Sequence, residues 1–323
     1  MKKLGWTVGL GLAIFVAGLF LLGTRVMGEA TVEAETPFLI PAGSSLTSVA
    51  QNLEEAGHIT SADGFLLSAR IFGSSDPIQA GEFELKPGMR QGDILEMFQS
   101  GDVIRRFITI PEGMPSILVW ERLMAEELLT GEVDVPLEGS VLPDTYSYER
   151  GQSRESLIEQ MQSAMDLYLA QAWAERSENT AVDTMREALI LASVVEKEVG
   201  TPEERRTVAG LYSNRVRAGM LLQADPTIIY PITKGKPLGR RIRQSEIAAV
   251  NGYNTYTRVG LPVGPITNPG RETIAAVLNP EDHNYLFMVA DGTGGHEFNE
   301  TLAGHNEAVG RWFQLRRERG EMD

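Results

Sequence analysis

The hydrophobic pattern of the chain begins with one long apolar stretch, from Leu4 to Thr24, that carries no charged residue. As a helix this stretch would be roughly 31 Å long, about the thickness of the hydrocarbon core of a bilayer. Lys2 and Lys3 precede it and the charges that follow Arg25 are acidic, so the positive-inside bias puts the N-terminus in the cytoplasm. The pattern predicts a single-pass anchor in the inner (cytoplasmic) membrane, with the rest of the chain exported. A cleaved signal peptide is the alternative.

Beyond the anchor, three short segments each close a strand-like run with a Pro/Gly turn and lead into a helical pattern: Ile40–Gly43, Leu85–Gly88 and Ile110–Gly113. After the first turn, apolar residues recur at helical spacing behind Ser45, which is a suitable N-cap. These short strands and helices predict a small α+β module over residues 38–110. A polar spacer (28–37) would join it to the segment that holds the anchor (1–27).

A larger unit is predicted for residues 111–323, and the expected fold class of the whole chain is α+β. A long apolar stripe over residues 153–175 predicts an amphipathic helix that packs against the core. Thr184 and Glu187 have the spacing of a capping box, so a second helix should begin there and end at Gly200.

Glu196 is the first candidate for chemistry, because on a helical wheel it falls inside the apolar arc of this second helix. A carboxylate in an apolar environment loses hydration, which favours the protonated form and makes it a potential general acid. The alternative is a buried structural glutamate that pairs with an arginine such as Arg215, Arg240 or Arg241. Spacing alone does not separate the two.

The amino-acid composition excludes several classes of binding and catalytic site. With 29 basic and 44 acidic residues the chain has a net charge of -15, which argues against a surface that grips nucleic acid. The chain contains no cysteine, so disulfides, thiolate catalysis and cysteine-ligated metals are excluded. Its four histidines lack metal-ligand spacing. We therefore expect neither a metal site nor a cofactor.

Loops rich in proline and glycine concentrate groups that can hydrogen-bond a sugar. Such punctuation places side chains on loops held by a scaffold, where binding residues tend to lie. A purely structural role in turns is the alternative for each of them. The candidates are Gln223, Asp225, Thr227, Tyr230, Asn254, Tyr256 and Asn268.

Several of these segments, taken in order, resemble the endolytic murein transglycosylases of the YceG-like family. The similarity runs from the anchor almost to the C-terminus. One departure is Ser140-Val141, which stands where the family usually has aromatic residues after Glu-Gly. The segments that carry the resemblance are Leu137–Tyr146, Leu191–Glu198, Asn214–Thr227, Tyr253–Tyr256 with Gly260–Pro262, and His305–Asn306.

The resemblance implies a membrane-anchored lytic transglycosylase with a LysM-like module at residues 38–110. Its substrate would be the glycan strand of peptidoglycan, cut between N-acetylmuramic acid and N-acetylglucosamine to leave a 1,6-anhydro end. The family's catalytic acid/base, the glutamate of the Val-Glu-Lys motif, falls on Glu196. Glu138 joins the loop residues above as an expected substrate contact, and peptidoglycan synthases are possible partners.

Two other functions stay open at this point. A hydrolytic muramidase would need a second carboxylate, for which Asp225 and Glu138 are the candidates. Glu198 is a poor candidate for that role, because two residues along a helix turn it roughly 200° away from Glu196. The other alternative is a non-catalytic scaffold that binds glycan and recruits synthetic enzymes.

Overall fold

The computed structural model describes residues 30–321. The predicted anchor over residues 4–24 lies outside this range. Within the described part of the chain, no helix combines the length and the hydrophobicity needed to cross a membrane. The described residues form two compact units, both built from helices and short strands, so the predicted α+β class is confirmed.

The first unit comprises the described residues up to Arg106 together with Tyr148–Arg150. Strands β1 and β2 pair antiparallel with Phe38 opposite Phe83, and both rings pack with Phe98 in the core. Ser45 caps α1 as predicted, since its side chain accepts a hydrogen bond from the Ser48 N–H. The elements are β1 (Thr36–Ile40), α1 (Leu46–Glu55), α2 (Ala62–Phe72), β2 (Gly81–Leu85) and α3 (Gln91–Ser100).

The second unit comprises Phe107–Ser147 and the described residues from Gly151 onward. Its short strands form two-stranded sheets, β3 with β4 and β5 with β6, while helices supply most of the core. Its elements are β3 (Arg106–Thr109), α4 (Ser116–Met124), β4 (Thr145–Tyr148), α5 (Arg154–Ala174), α6 (Met185–Glu198), a 3-10 turn (Pro202–Glu204), α7 (Arg205–Arg217), α8 (Pro226–Thr233), α9 (Gln244–Ile247), α10 (Arg271–Leu278), β5 (Phe287–Ala290), β6 (His296–Asn299) and α11 (Leu302–Glu318).

The three predicted Pro/Gly turns are present, and each has a glycine in the left-handed region. The φ angles are +80° at Gly43, +81° at Gly88 and +70° at Gly113. Each turn follows one of the strands β1, β2 and β3 and precedes one of the helices α1, α3 and α4. Glycine adopts this conformation without the steric cost that a Cβ brings, which explains the repeated sequence pattern.

Helix α6 lies at the centre of the second unit and packs against α5, α7 and α10. Its predicted capping box is present: Thr184 Oγ1 accepts from the Glu187 N–H (3.2 Å) and Glu187 Oε2 accepts from the Thr184 N–H (3.0 Å). The middle of the helix, from Ile190 to Val195, is buried without a break. The middle of α6 is therefore enclosed by its neighbours, and the charged residues of the helix lie at its two ends.

Candidate active site

Two glutamates, Glu196 and Glu198, lie at the C-terminal end of α6 and are separated by a single lysine. Because an α-helix turns by about 100° per residue, their side chains project to different sides of the helix axis. Each carboxyl group therefore has its own set of neighbours. Comparing those neighbours shows which chemistry each group can support.

Glu198 is largely enclosed by its neighbours, and its Oε2 atom accepts a hydrogen bond of 3.1 Å from the hydroxyl of Tyr212. Burial raises the pKa of Glu198 to about 7; the charge of Asp225 adds to this rise, whereas Tyr212 and Arg215 oppose it. A carboxyl with a pKa near neutrality is partly protonated at physiological pH and can also act as a base once it has lost the proton.

Two of the predicted binding residues, Asp225 and Tyr256, interact electrostatically with Glu198, and a third, Gln223, lies two positions before Asp225 in the chain. The hydroxyl of Tyr256 donates to Asp225 Oδ1 at 2.6 Å, and burial together with this carboxylate raises the pKa of Tyr256. Asp225 and Gln223 are both exposed, and Gln223 has a φ of +51°, which is uncommon for a residue other than glycine. Strained backbone of this kind is frequent at binding and catalytic sites. These side chains provide a polar, accessible surface beside the buried carboxyl group.

Glu196 has more polar surroundings than the helical wheel predicts. Its Oε2 atom accepts a hydrogen bond of 2.9 Å from the Gly270 N–H at the start of α10. The neighbouring Lys197 donates to the carbonyl of Gly113 at 3.4 Å. Glu112 lies so close to Gly270 that a Cβ at that position would be 1.9 Å from its Oε1. Glu196 is thus part of a cluster that holds the end of α6 against two loops.

A positively charged side chain, that of Arg205, compensates part of the negative charge of this cluster. Arg205 forms an ion pair of 3.3 Å with Glu112. Burial and the charge of Glu196 raise the pKa of Glu112, while Arg205 opposes that rise. Two of the three arginines proposed as structural partners of Glu196 have other partners: Arg215 donates to the carbonyls of Leu222 and Leu286, and Arg240 pairs with Glu246.

A third carboxyl group, Glu138, lies on the loop before β4 and is mostly enclosed. Its Oε1 atom accepts a hydrogen bond of 2.8 Å from the Ser116 N–H, and the hydroxyl of Tyr230 is also bonded to it. Burial raises the pKa of Glu138 despite these hydrogen bonds. The ring of Tyr230 packs 4.8 Å from that of Tyr253. Glu138 and Tyr230 therefore act together as a buried pair that fixes the start of α4.

Three of the predicted binding residues, Thr227, Asn254 and Asn268, are fully buried. Thr227 Oγ1 is 2.8 Å from Thr255 Oγ1, and Asn254 Nδ2 donates to the carbonyl of Ala249 at 2.7 Å. Asn268 joins two other loops, because it donates to the Met114 carbonyl at 2.9 Å and accepts from the Val141 N–H at 3.1 Å. Their polar groups hold loops in place, and direct contact with a sugar would require those loops to open.

The sequence did not reveal the contact between Tyr212 and Glu198. Tyr212 lies on the next helix, 14 residues away, and no sequence pattern indicates that its hydroxyl meets Glu198. The wheel separates a buried face from an exposed one only when part of the helix faces solvent. Because the middle of α6 is buried on every side, position in the apolar arc does not distinguish the surroundings of Glu196 from those of Glu198.

Comparison with known proteins places this geometry in context. The model of the YceG-like family matches residues 38–311, which is well over half of the 323 residues. The chain belongs to the YceG-like family. The region matched to the YceG-like family includes both glutamates of α6, Tyr212, and the loops that carry Gln223, Asp225 and Tyr256.

Individual relatives extend the similarity. A Bacillus subtilis protein named endolytic murein transglycosylase is 26% identical over 341 aligned residues, which cover 95% of this YceG-like chain and 93% of the relative. Proteins of the same name from two Streptococcus pneumoniae strains are 30% identical over 79% of this chain, which spans about half of their length (54%). A solved structure described as yceG-like, from Listeria monocytogenes, has a TM-score of 0.54 and 26% identity, with coverage of 85% of this chain and 99% of the other.

Proposed function

We propose that this chain is an endolytic peptidoglycan lytic transglycosylase. It cleaves the bond between N-acetylmuramic acid and N-acetylglucosamine within glycan strands and leaves a 1,6-anhydro-muramoyl end. Membership of the YceG-like family and the shared name of the curated relatives support the reaction class. The observation that carries the chemistry is the buried Glu198, whose pKa of about 7 and accessible polar neighbours suit an acid that later acts as a base.

In the first step, the protonated carboxyl group of Glu198 donates its proton to the glycosidic oxygen as the bond from that oxygen to C1 of the muramoyl sugar breaks. The departing sugar leaves with a new hydroxyl group. Positive charge develops on C1 and the ring oxygen, as in other glycosidic cleavages. Glu198 is left as a carboxylate close to this charge.

In the second step, the C6 hydroxyl of the same muramoyl sugar attacks C1, and the carboxylate of Glu198 accepts the hydroxyl proton. The anhydro ring closes and Glu198 returns to its protonated form. No water is consumed, so one carboxyl group suffices, whereas hydrolases normally use two. A pKa near neutrality serves both steps, because the group must be protonated before cleavage and basic after it.

The exposed polar residues next to Glu198 bind the substrate in this proposal. Gln223 and Asp225 can hydrogen-bond the acetamido and hydroxyl groups of the sugars, with Tyr256 holding Asp225 in place. The fully buried loop residues Thr227, Asn254 and Asn268 keep these loops in register. Glu138 and Tyr230 support the loop before α4.

Glu196 remains the competing candidate for the proton donor, as the resemblance of the sequence implies. Its hydrogen bond to the Gly270 N–H favours a role in holding the end of α6. Replacing each glutamate by glutamine separates these two assignments.

Location completes the proposal. Residues 4–24 anchor the chain in the inner membrane with the N-terminus in the cytoplasm, and the catalytic unit works outside the cytoplasm near newly made strands. Cleavage at that position would terminate strand elongation. The module at residues 38–110 is LysM-like in this proposal, and peptidoglycan synthases are the expected protein partners.

Product analysis on purified peptidoglycan tests the reaction. Mass spectrometry of strands treated with the full chain in detergent should detect new 1,6-anhydro-muramoyl ends, and Glu198→Gln should produce almost none. New reducing ends instead would indicate a muramidase that uses Asp225 or Glu138 as a second carboxylate. Absence of new ends, with strands retained on the protein, would indicate a scaffold. Either of the last two results would overturn the proposal.

A further inference from the structure

Tyr212 is a fully buried side chain on α7 whose hydroxyl contacts the carboxyl group of Glu198. Its side chain is 1% exposed. The hydroxyl oxygen lies 3.1 Å from Glu198 Oε2, so the bond joins α7 to the last residue of α6. A buried hydrogen bond between two helices at this position fixes the orientation of the carboxyl group.

In this bond Tyr212 can only be the donor toward an ionised Glu198. Burial and the nearby carboxylate of Glu198 raise the pKa of Tyr212 well above its usual value of 10, so the phenol stays protonated. A hydroxyl that donates to a carboxylate favours the ionised form of the acid. The bond therefore opposes the effect of burial on Glu198.

The other charged and titratable groups near Glu198 act in both directions. Asp225, at the start of α8, disfavours ionisation of Glu198, and Arg215, on α7, favours it. Tyr256 lies on the loop that faces them and is bonded to Asp225. Tyr212 differs from these groups because it makes a direct hydrogen bond to one identified oxygen atom.

The bond also distinguishes the two oxygens of the carboxyl group. In a protonated carboxyl group the carbonyl oxygen is the better acceptor, and the other oxygen carries the proton. Oε2 is the acceptor from Tyr212, which leaves Oε1 to carry the transferable proton. We propose that Tyr212 is a positioning residue for Glu198: it holds Oε2, directs the proton to Oε1, and lets the acid release that proton near neutral pH. This inference rests on the proposed role of Glu198 as the acid.

The dependence of kcat/KM on pH tests the inference, with the full chain in detergent and purified glycan strands as substrate. Activity falls at high pH when the acid loses its proton. Tyr212→Phe removes a donor that favours ionisation, so the alkaline limb should move up by about one pH unit. Tyr146→Phe is the matched control, because Tyr146 is also buried and its hydroxyl donates to the Leu142 carbonyl; its alkaline limb should coincide with that of the unsubstituted protein.

A second replacement moves the limb in the opposite direction while preserving the shape of the side chain. With 3-fluorotyrosine in place of Tyr212 the phenol is a stronger donor, so the limb should move to lower pH. This measurement decides the question even if Tyr212→Phe fails to fold. An unmoved limb with fluorotyrosine, or equal shifts in the Tyr146 control, would overturn the inference. Activity retained by Glu198→Gln would instead overturn the assignment of the acid itself, so the two failures are distinguishable.

Discussion

Glu196 and Glu198 belong to the same helix end but have contrasting neighbours. Glu196 accepts from a backbone N–H at the start of α10 and lies beside Lys197 and Glu112. Glu198 has a phenol as its hydrogen-bond partner and is nearly enclosed, with a pKa of about 7. The two carboxyl groups therefore have different surroundings, and our proposal assigns a structural role to Glu196 and the proton transfer to Glu198.

The contrast between Glu196 and Glu198 depends on which neighbouring groups interact with each carboxyl group. Glu196 accepts a backbone hydrogen bond from the Gly270 N–H, next to Lys197 and Glu112. For Glu198 the effect of burial outweighs the hydrogen bond from Tyr212 and the charge of Arg215, so this carboxyl group retains its proton to higher pH. Proton transfer requires the second type of environment.

The largest expected effect is on catalysis by the two glutamine variants. Glu198→Gln removes the proton donor while keeping the shape of the side chain, so kcat should fall by about a thousandfold, within the usual contribution of a general acid. Glu196→Gln should lower kcat by only about tenfold, because it changes a hydrogen bond that holds the helix end. Rates of anhydro-end formation by the two purified proteins provide the measurement. The reverse order would restore Glu196 as the acid and remove the contrast.

The next effect concerns stability, and its sign follows from the raised pKa of Glu198. An unfolded glutamate titrates near 4.5, whereas the folded one titrates at about 7. Between these values the folded state binds more protons, so the favourable contribution of this group is complete below about pH 4 and is lost as pH rises to about 7. Glutamine does not titrate. As pH rises from 4 to 8, the unfolding free energy of the unsubstituted protein should therefore fall by about 3 kcal/mol relative to that of Glu198→Gln.

Urea unfolding of both proteins across this pH range measures the difference. Other titrating groups are common to the two proteins and cancel in the comparison. Tyr146→Phe is the control, since it removes a buried hydroxyl without removing a carboxyl group. A difference between Glu198→Gln and the unsubstituted protein that is constant from pH 4 to pH 8 would contradict the raised pKa.

Local sequence signals predicted much of the scaffold around these glutamates. The sequence predicted three local features correctly, because each depends on residues a few positions apart. They are the capping box of Thr184 and Glu187, the N-cap at Ser45 and the glycine turns. The last helix, α11, begins at Leu302. Its start is set by Thr301, which accepts a hydrogen bond from the Gly304 N–H.

The candidate site was less predictable, because it depends on contacts between distant segments. The choice between Glu196 and Glu198 required knowledge of Tyr212 and Gly270, which only the packing of α7 and α10 brings to the end of α6. Asn254 illustrates the same limit. Its sequence context suggests a ligand contact, yet its amide is enclosed by carbonyls of its own loop.

The smallest expected effect compares two glycines with similar backbone geometry. Gly113 and Gly43 have φ angles of +70° and +80°, so alanine at either position should cost about 1 to 2 kcal/mol of stability. A Cβ on Gly113 would lie 3.4 Å from Glu196 Cγ and 3.7 Å from Lys197 Cδ, whereas a Cβ on Gly43 would meet nothing within 4 Å. Only the first substitution brings a methyl group into contact with the cluster that holds the end of α6.

Gly113→Ala should therefore lower kcat/KM about three- to tenfold, in addition to its loss of stability, while Gly43→Ala leaves kcat/KM unchanged. Thermal unfolding and the rate of anhydro-end formation, measured on the same preparations, separate the two effects. If both variants lose stability but neither loses activity, displacement of Glu196 is not transmitted to Glu198. The two carboxyl groups would then be independent despite their proximity, and the Glu196 cluster would serve the fold alone.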